Sequence, residues 1–572
     1  MLLKKLIKNC PSKLSNIEVK GLSSDTRKLK KGDLFFALKG SQNNGEKFIN
    51  HALKKGACAV ISTRKVKGNF KIIKTNNIKD LLGEICSKFY KLKPKNIIAV
   101  TGTNGKSSVA DFFHQILTLN SFSVATIGTL GIKTKKIKKI NLTSPDIINL
   151  HKELNNLKQK KIDNVLLEAS SHGLNQGRLN GINFRAGIFT NLSQDHMDYH
   201  KSMKNYFNSK LILFRKLLKK GNYIITDKAI PELKKLDKIA KKKKLKKIYI
   251  DYSKKDYDLN QFKPIGNFQK KNLLMAIKAC EILGLNKKKI SKCISKLKSV
   301  KGRLELVKEY SDNTKVFIDF AHTPDAINSA IASLKTHFKK DVTIIFGCGG
   351  ERDKRKREKM GKIVNSLCNK IYVTDDNPRR EKPESIRKAI MKHIKKEKVV
   401  EVGNRTSAVH LAIKNSIPNE IILIAGKGHE DIQDYGRKKY KISDFEIIKR
   451  FKNKKDKTKK TINSQQNNFL IKKIINRKLS KGFNGVSIDS KTVKKGNLFF
   501  AIKGKNNDGH NYLNEAILKG ASYCVISKNF NKISKNNFIK VTNTYNCLKK
   551  LAIIKRNYTN GKIIAVTGSS GK

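Results

Sequence analysis

A chain of 572 residues with 124 Lys and Arg against 45 Asp and Glu, formal net charge +79, is too long for one core and is expected to divide into roughly three to four domains. Its lysines are spread over nearly every segment, as at Lys152, Lys158, Lys160 and Lys161, with no arginine-rich arm or aromatic-interleaved basic stripe, which argues for a lysine-heavy surface and against a nucleic-acid partner. The nine cysteines show no Cys-x-x-Cys pair, no apolar run reaches membrane-spanning length and the N-terminus lacks a signal-peptide pattern, so reduced thiols, a cytoplasmic setting and no membrane insertion are expected.

Residues 1–92 begin with a predicted amphipathic first helix (Met-Leu-Leu-Lys-Lys-Leu-Ile-Lys) and continue as a small α/β unit. The turn Ser24-Asp25-Thr26-Arg27 has small polar groups suited to a sugar nucleotide, or to an ordinary Asx or Ser turn.

Residues 93–300 open on Ile97-Ile98-Ala99-Val100-Thr101, an apolar run of buried-strand type, followed by Gly102-Thr103-Asn104-Gly105-Lys106-Ser107-Ser108 and a helix-period pattern (Val109, Phe112, Phe113, Ile116, Leu117). Strand, glycine turn and helix build a phosphate cradle: backbone N–H groups face anionic oxygens, Lys106 neutralises charge and the Ser107 hydroxyl can ligate Mg²⁺. Val100 occupies the position of the generic motif's first glycine, so only the narrower Thr-Gly-Thr-Asn-Gly-Lys-Ser pattern applies. Strand Val165-Leu166-Leu167 ends at Glu168-Ala169-Ser170-Ser171-His172, and strand Ala186 to Leu192 is followed by Asp195-His196-Met197-Asp198-Tyr199-His200. Polar residues at the C-terminal ends of strands face the ligand crevice of an open α/β sheet, which makes Glu168 a metal-ligand candidate. Lys210 lies in an apolar helix pattern. It either snorkels or is buried, nucleophilic and able to take up CO₂ as a carbamate, an oxygen ligand for a hard metal.

Residues 301–452 again alternate strands and helices, as in a second doubly wound sheet. The strand ends carry Asp319-Phe320-Ala321-His322, Gly347-Cys348-Gly349-Gly350-Glu351-Arg352, Asp375-Asp376-Asn377-Pro378-Arg379 and Ala425-Gly426-Lys427-Gly428-His429-Glu430. Arg352 and Arg379 suit bidentate carboxylate recognition, or are solvated surface arginines. Residues 453–468 are polar, low in complexity and of linker type.

Residues 469–572 repeat the opening: Gly485 to Lys491 matches Gly21 to Arg27, and Lys495 to Gly504 matches Lys31 to Gly40, at an offset of 464 residues. Ile563 to Lys572 matches Ile97 to Lys106 at an offset of 466. This is a duplication, not a solenoid period.

The phosphate loop together with Glu168 to Leu174 and Asp195 to His200 resembles the Mur ligase family of ATP-dependent amide-forming ligases, and within it the branch that adds the third residue of the peptidoglycan precursor peptide. The resemblance implies an α/β fold of three domains: a small N-terminal α/β domain (1–92, UDP-sugar-binding), a central P-loop ATPase domain (93–300) and a C-terminal Rossmann-like domain (301–452, amino-acid-binding). A linker (453–468) and a repeated N-terminal-type α/β domain (469–572) would follow. That last segment resembles the start of the next ligase in the series, with half a P-loop. It is expected to lack a complete second activity; a scaffold that binds UDP-sugar or other Mur enzymes is the alternative role.

The same resemblance implies that Gly102, Thr103, Asn104, Gly105, Lys106, Ser107 and Ser108 bind ATP phosphates, with Asn272, Arg303 and Asp319 around the rest of the nucleotide. Ser24, Thr26, Ser41, Gln42 and Asn43 would contact the UDP-sugar, and Thr143, Ser144, Ser170, Gln176 and Arg178 its muramoyl dipeptide. Lys106, Glu168, His196 and Lys210 would be catalytic, with Ser107, Glu168, His196 and a carbamylated Lys210 (N6-carboxylysine) organising Mg²⁺. Arg352, Asp376, Asn377, Pro378, Arg379, Gly426 and Glu430 would form a meso-2,6-diaminopimelate pocket, Arg379 clamping the distal carboxylate that L-lysine lacks. The alternatives are a related ligase with L-lysine as acceptor and a catalytically idle nucleotide-binding protein. Asn267-Phe268-Gln269 replaces the family's more usual Phe-Asn pair, which leaves the adenine contacts open.

Overall fold

In the computed structural model, residues 1–40, 44–64, 71–140, 142–252, 256–451, 471, 475, 479, 482–504, 506–528 and 537–557 are described. They belong to two compact units. The first comprises Met1–Val307, Val316–Ala408 and Leu423–Glu446; the second comprises Lys308–Lys315, Val409–Ile422 and Ile447–Lys572.

The first unit opens on a four-stranded parallel sheet, Gly21–Ser23, Asp33–Phe36, Ala59–Ser62 and Ile72–Lys74, in chain order. The expected first helix is a single turn, Leu3–Leu6, whose Leu3 and Leu6 are buried. Four residues give only one turn of hydrogen bonding, below the length at which helix formation propagates. The turn persists because two leucines enter the core formed with Leu34, Phe36, Ile61 and Ile85.

The central sheet has eight strands in the order Lys246–Ile250, Tyr223–Asp227, Ala186–Phe189, Asn96–Thr101, Asn164–Glu168, Val124–Gly128, Gly131–Lys133 and Ile137–Lys138. Alternation along the strand Asn96–Thr101 explains its position. Ile98 and Val100 enter one core, with Phe112, Phe113 and Leu273. Ile97 and Ala99 enter another, with Leu154, Phe189 and Phe214. A strand apolar on both faces must be covered on both faces, the arrangement of a parallel sheet with crossover helices. Thr101, Glu168 and Phe189 therefore end side by side at one edge of the sheet, in register through Phe189–Thr101 and Val100–Glu168.

The third sheet orders its strands Glu305–Glu309, Lys315–Asp319, Ile421–Ala425, Val342–Phe346, Lys370–Val373 and Val399–Glu401. The second unit holds a four-stranded parallel sheet, Gly485–Ser487, Asn497–Phe500, Tyr523–Ser527 and Phe538–Val541. Its details repeat those of the first sheet. Ser487 Oγ donates to Asp489 O at 2.8 Å as Ser23 Oγ does to Asp25 O at 3.0 Å. The bridge Lys503–Asp508 likewise repeats Lys39–Asn44. The linker at 453–468 and the repeated phosphate loop at 563–572 lie outside the described residues.

Three buried histidines set an acid limit on this fold. His151 is fully buried and donates from Nε2 to Asn180 O at 2.9 Å. Burial lowers it to about 4, and does the same for His114 and His200. A depressed histidine pKa means that the native state binds fewer protons than the unfolded chain below about pH 6.5, so stability falls on acidification at about 1.4 kcal/mol per pH unit for each proton taken up. Asp319, raised to about 6 by burial, opposes this, as do Glu232 and Glu305, which burial also raises. The urea midpoint is expected to fall steadily from pH 7 to pH 5; a flat midpoint over that window would contradict the assignment of neutral buried imidazoles.

Candidate functional site

The site forms where the strand Asn96–Thr101 gives way to the helix Lys106–Leu119. Gly102 has φ +147° and Gly105 has φ +87°, backbone that favours glycine. A Cβ on Gly105 would lie 2.4 Å from Asn272 Oδ1. Asn272 is buried and is steadied by Gln269, whose amide donates to Arg303 O at 3.1 Å. The loop is therefore wedged between its own strand and the helix Asn267–Ile282. Gly105→Ala is expected to weaken ATP at least tenfold in titration calorimetry while leaving the chain folded, because a left-handed alanine costs only about 1–2 kcal/mol. An ATP Kd within twofold of the parent would refute the wedge.

Lys106 donates from Nζ to Gly102 O at 2.9 Å and to Thr103 O at 2.7 Å. Burial lowers its pKa, opposed by Glu168 and Asp195. Asn104 N donates to Asn191 Oδ1 at 2.9 Å, and Asn104 Nδ2 donates to Asp325 Oδ2 at 3.0 Å. Thr103 Oγ1 lies 3.1 Å from Tyr206 Oη. Ser108 is buried at the helix start.

Ser107 Oγ donates to Glu168 Oε2 at 3.0 Å and accepts from Arg303 at 3.0 Å. Glu168 is buried, and its other donors are Thr129 N and Thr129 Oγ1, both at 3.0 Å. Arg303 stacks on Phe320, its guanidinium carbon 4.4 Å from the ring centroid. Asp319 accepts from Leu304 N at 2.5 Å, and burial raises its pKa to about 6.

Lys210 is buried, not snorkelling. Its Nζ donates to Gly102 O at 2.8 Å and lies 4.2 Å from the centroid of Tyr206. Burial, then the charge of Lys106, holds it well below the usual lysine value, against the pull of Asp195. His196, in left-handed backbone at φ +57°, lies 3.4 Å from Asp195 Oδ2, and His322 approaches the same oxygen at 3.4 Å. Burial pushes the Asp195 carboxyl up, but the His322 hydrogen bond and the charges around it hold it well below the ordinary value.

The four expected metal ligands have different partners. Ser107 and Glu168 bond directly, His196 pairs with Asp195, and Lys210 carries an amine bound to a carbonyl. Among the described residues no three His, Cys, Asp or Glu side chains lie together in a way that could hold a metal. A hydroxyl and a carboxylate are hard oxygen donors and fit Mg²⁺. An ammonium at Lys210 does not, whereas a carbamate there would.

Beside Glu168, Ser144 Oγ donates to Glu168 O at 2.9 Å and lies 3.0 Å from Ser170 Oγ. Thr143 Oγ1 lies 3.1 Å from Thr129 Oγ1. Arg178 donates to Ser144 O at 2.8 Å and to Gln176 Oε1 at 2.6 Å. Thr143, Ser144, Ser170, Gln176 and Arg178 are therefore contiguous. Ser24 is exposed and Thr26 buried in the first sheet, with no hydrogen bond to this group among the described residues. Ser41, Gln42 and Asn43 lie outside the described residues.

The third sheet supplies the remaining group. Arg379 has φ +54° and donates to Gly350 O at 2.7 Å. Asn377 Nδ2 donates to Glu430 Oε2 at 3.1 Å. A Cβ on Gly426 would lie 2.6 Å from Asp376 Oδ2, so that glycine lets the two turns meet. Pro378 packs its carbonyl against Gly350 in the same way. Arg352 points instead to Asp198 Oδ2, 3.4 Å away. Sequence reasoning missed Thr129, Asp195, Tyr206, His322 and Lys427 as members of these groups. Thr129, Asp195, His322 and Lys427 follow strands and Tyr206 lies on the helix Met203–Ile212; their partners, distant in sequence, were not visible.

Comparison with known proteins is consistent along the chain. Residues 100–283 match the Mur ligase middle domain, 302–428 the Mur ligase glutamate ligase domain, and 18–90 together with 482–557 the Mur ligase family catalytic domain. A UDP-N-acetylmuramoyl-L-alanyl-D-glutamate--2,6-diaminopimelate ligase of Rickettsia bellii is 39% identical over 458 residues, 75% of this chain and 95% of the relative. The enzyme of that name from Rhizobium meliloti is 35% identical over 461 residues, 76% of this chain and 94% of the relative. A solved structure of a ligase of that name is 27% identical, with TM-score 0.55, over 78% of this chain and 98% of its own. The MurF ligase of Thermotoga maritima in complex with ADP shares the fold at 16% identity and TM-score 0.51, over 76% of this chain and 97% of its own.

Proposed function

The chain belongs to the Mur ligase family, and on that premise we propose the function that its site supports. It is an ATP-dependent amide-forming ligase that joins meso-2,6-diaminopimelate to UDP-N-acetylmuramoyl-L-alanyl-D-glutamate in peptidoglycan precursor synthesis. The carrying observation is the direct bonding of Ser107, Glu168 and Arg303 at the mouth of the phosphate loop.

A carboxylate does not react with an amine, so the D-glutamyl side chain must first take the γ-phosphoryl group of ATP to become an acyl phosphate. Gly102 to Ser108 cradle the phosphates, and Lys106 carries the positive charge that offsets charge developing on the transferred group. Arg303, held on Ser107 and Phe320, adds a second cation from the third sheet's side. Mg²⁺, when bound, supplies charge neutralisation at the phosphoryl oxygens; Ser107, Glu168 and a carbamate on Lys210 are the residues that would hold it. Thr143, Ser144, Ser170, Gln176 and Arg178 would orient the muramoyl dipeptide toward the loop. The acceptor amine, placed by Asn377, Arg379 and Glu430, attacks the acyl carbon, and phosphate leaves. The contacts between Asn104 and Asp325, and between Asp195 and His322, link the two sheets' sites, the closure by which the acyl phosphate would be kept from water. We assign the enzyme to the cytoplasm; among the described residues no helix is long and apolar enough to cross a membrane.

Hydroxylamine trapping tests the reading. With ATP, Mg²⁺ and UDP-N-acetylmuramoyl-L-alanyl-D-glutamate but no acceptor, the chain is expected to form the glutamyl hydroxamate. Failure to form it in a folded, ATP-binding chain would contradict the proposal.

A further inference from the structure

Lys427 is a fully buried lysine in the turn that follows the strand Ile421–Ala425. Its Nζ lies 2.6 Å from Ile432 O, 3.3 Å from Glu430 Oε2 and 3.4 Å from Asn377 Oδ1. A buried ammonium is retained only when such acceptors surround it. These three come from three separate stretches of chain: the turn after the strand Lys370–Val373, the turn after Ile421–Ala425, and the short strand Ile432–Asp434.

The ammonium also fixes which way the Asn377 amide points. Oδ1 faces Lys427 and accepts from Asp434 N at 2.9 Å, which leaves Nδ2 to donate to Glu430 Oε2 at 3.1 Å. Asp434 O in turn accepts from Arg379 N at 2.8 Å. One positive charge therefore ties together the backbone of Arg379, the amide of Asn377 and one oxygen of Glu430. The Glu430 side chain is 36% exposed, and its carboxylate suits an ammonium group of the acceptor.

We propose that Lys427 is the positioning residue of the acceptor pocket: it contacts no substrate but sets the geometry with which Asn377, Arg379 and Glu430 receive the amino acid. The inference rests on the pocket assignment made above. Truncating the ammonium removes no acceptor contact directly. It frees the Asn377 amide to flip, releases the Glu430 carboxylate and loosens the strand that steadies Arg379. The loss is confined to acceptor binding and leaves the phosphate loop untouched.

Two variants, Lys427→Met and Lys427→Gln, test this against two readouts in the full-length chain. The KM for meso-2,6-diaminopimelate is expected to rise at least fivefold in each, more in Lys427→Met, with the KM for ATP and acceptor-free hydroxamate formation within twofold of the parent. If Lys427→Met does not accumulate folded, Lys427→Gln, which keeps a donor, decides by the same criterion. An acceptor KM raised less than fivefold, or hydroxamate formation lost in step with amide formation, overturns the proposal. Absence of hydroxamate in the parent chain would instead overturn the ligase reading itself, so the two failures are distinct.

Discussion

Replacing Lys106 by methionine is expected to lower ligase turnover at saturating substrates by about 10²–10³-fold, the cost of removing one preorganised charge from a site where a phosphoryl group moves. Methionine keeps the length and the alkyl stem, so the loop loses a cation and little packing. The ammonium now rests on Gly102 O and Thr103 O, two carbonyls of its own loop. It therefore holds the loop's shape as well as neutralising charge. Arg303, bonded to Ser107 Oγ at 3.0 Å, supplies a second cation and keeps the loss from going further. Steady-state phosphate release measures kcat, and unchanged binding of the UDP-linked substrate confirms that the variant is folded. A loss below tenfold would mean that Arg303 carries the phosphoryl charge and that Lys106 is structural.

Arg379→Ala is expected to raise the KM for meso-2,6-diaminopimelate about 10²-fold, in the range found when one partner of a buried charge pair is removed. L-lysine, which has no distal carboxylate, should be used no worse by the variant than by the parent. The substitution keeps the Cβ, so the left-handed backbone at φ +54° is no more strained than before. Arginine is suited to this position because Gly350 O and Asn377 O take one end of its guanidinium and leave the other for a ligand. A ratio of diaminopimelate to lysine use that stays within threefold of the parent would remove Arg379 from acceptor recognition.

The fold was legible wherever hydrophobic period and strand-end chemistry agree. Ile97 to Val100 are apolar on both faces, and both faces are covered. Thr101 and Glu168 follow apolar runs and lie at one edge of the central sheet. The repeat was legible for the same reason: Gly485 to Lys491 copies Gly21 to Arg27, and the two turns share their hydrogen bonds. The opening pattern of Leu3 and Leu6 suggested a helix but supports only one turn, because core packing and not propensity holds it.

In the candidate site, residue types were legible and pairings were not. Asp195 was visible after a strand, yet nothing in the order of residues announces that His322, from the third sheet, approaches the same carboxylate as His196. Lys210 was visible in an apolar helix, but its burial beside Gly102 O depends on how two elements pack. Lys427 is flanked by glycines after a strand, a pattern that does not tell a solvated lysine from a buried one. Only the convergence of Asn377, Glu430 and Ile432 makes it a buried one.

The most direct test of the account is phosphate release by the purified chain with Mg-ATP and UDP-N-acetylmuramoyl-L-alanyl-D-glutamate, comparing meso-2,6-diaminopimelate with L-lysine as acceptor. The account predicts release that depends on diaminopimelate and is not supported by lysine at equal concentration. Equal or greater release with lysine, or none with either from a folded chain that binds ATP, would contradict it.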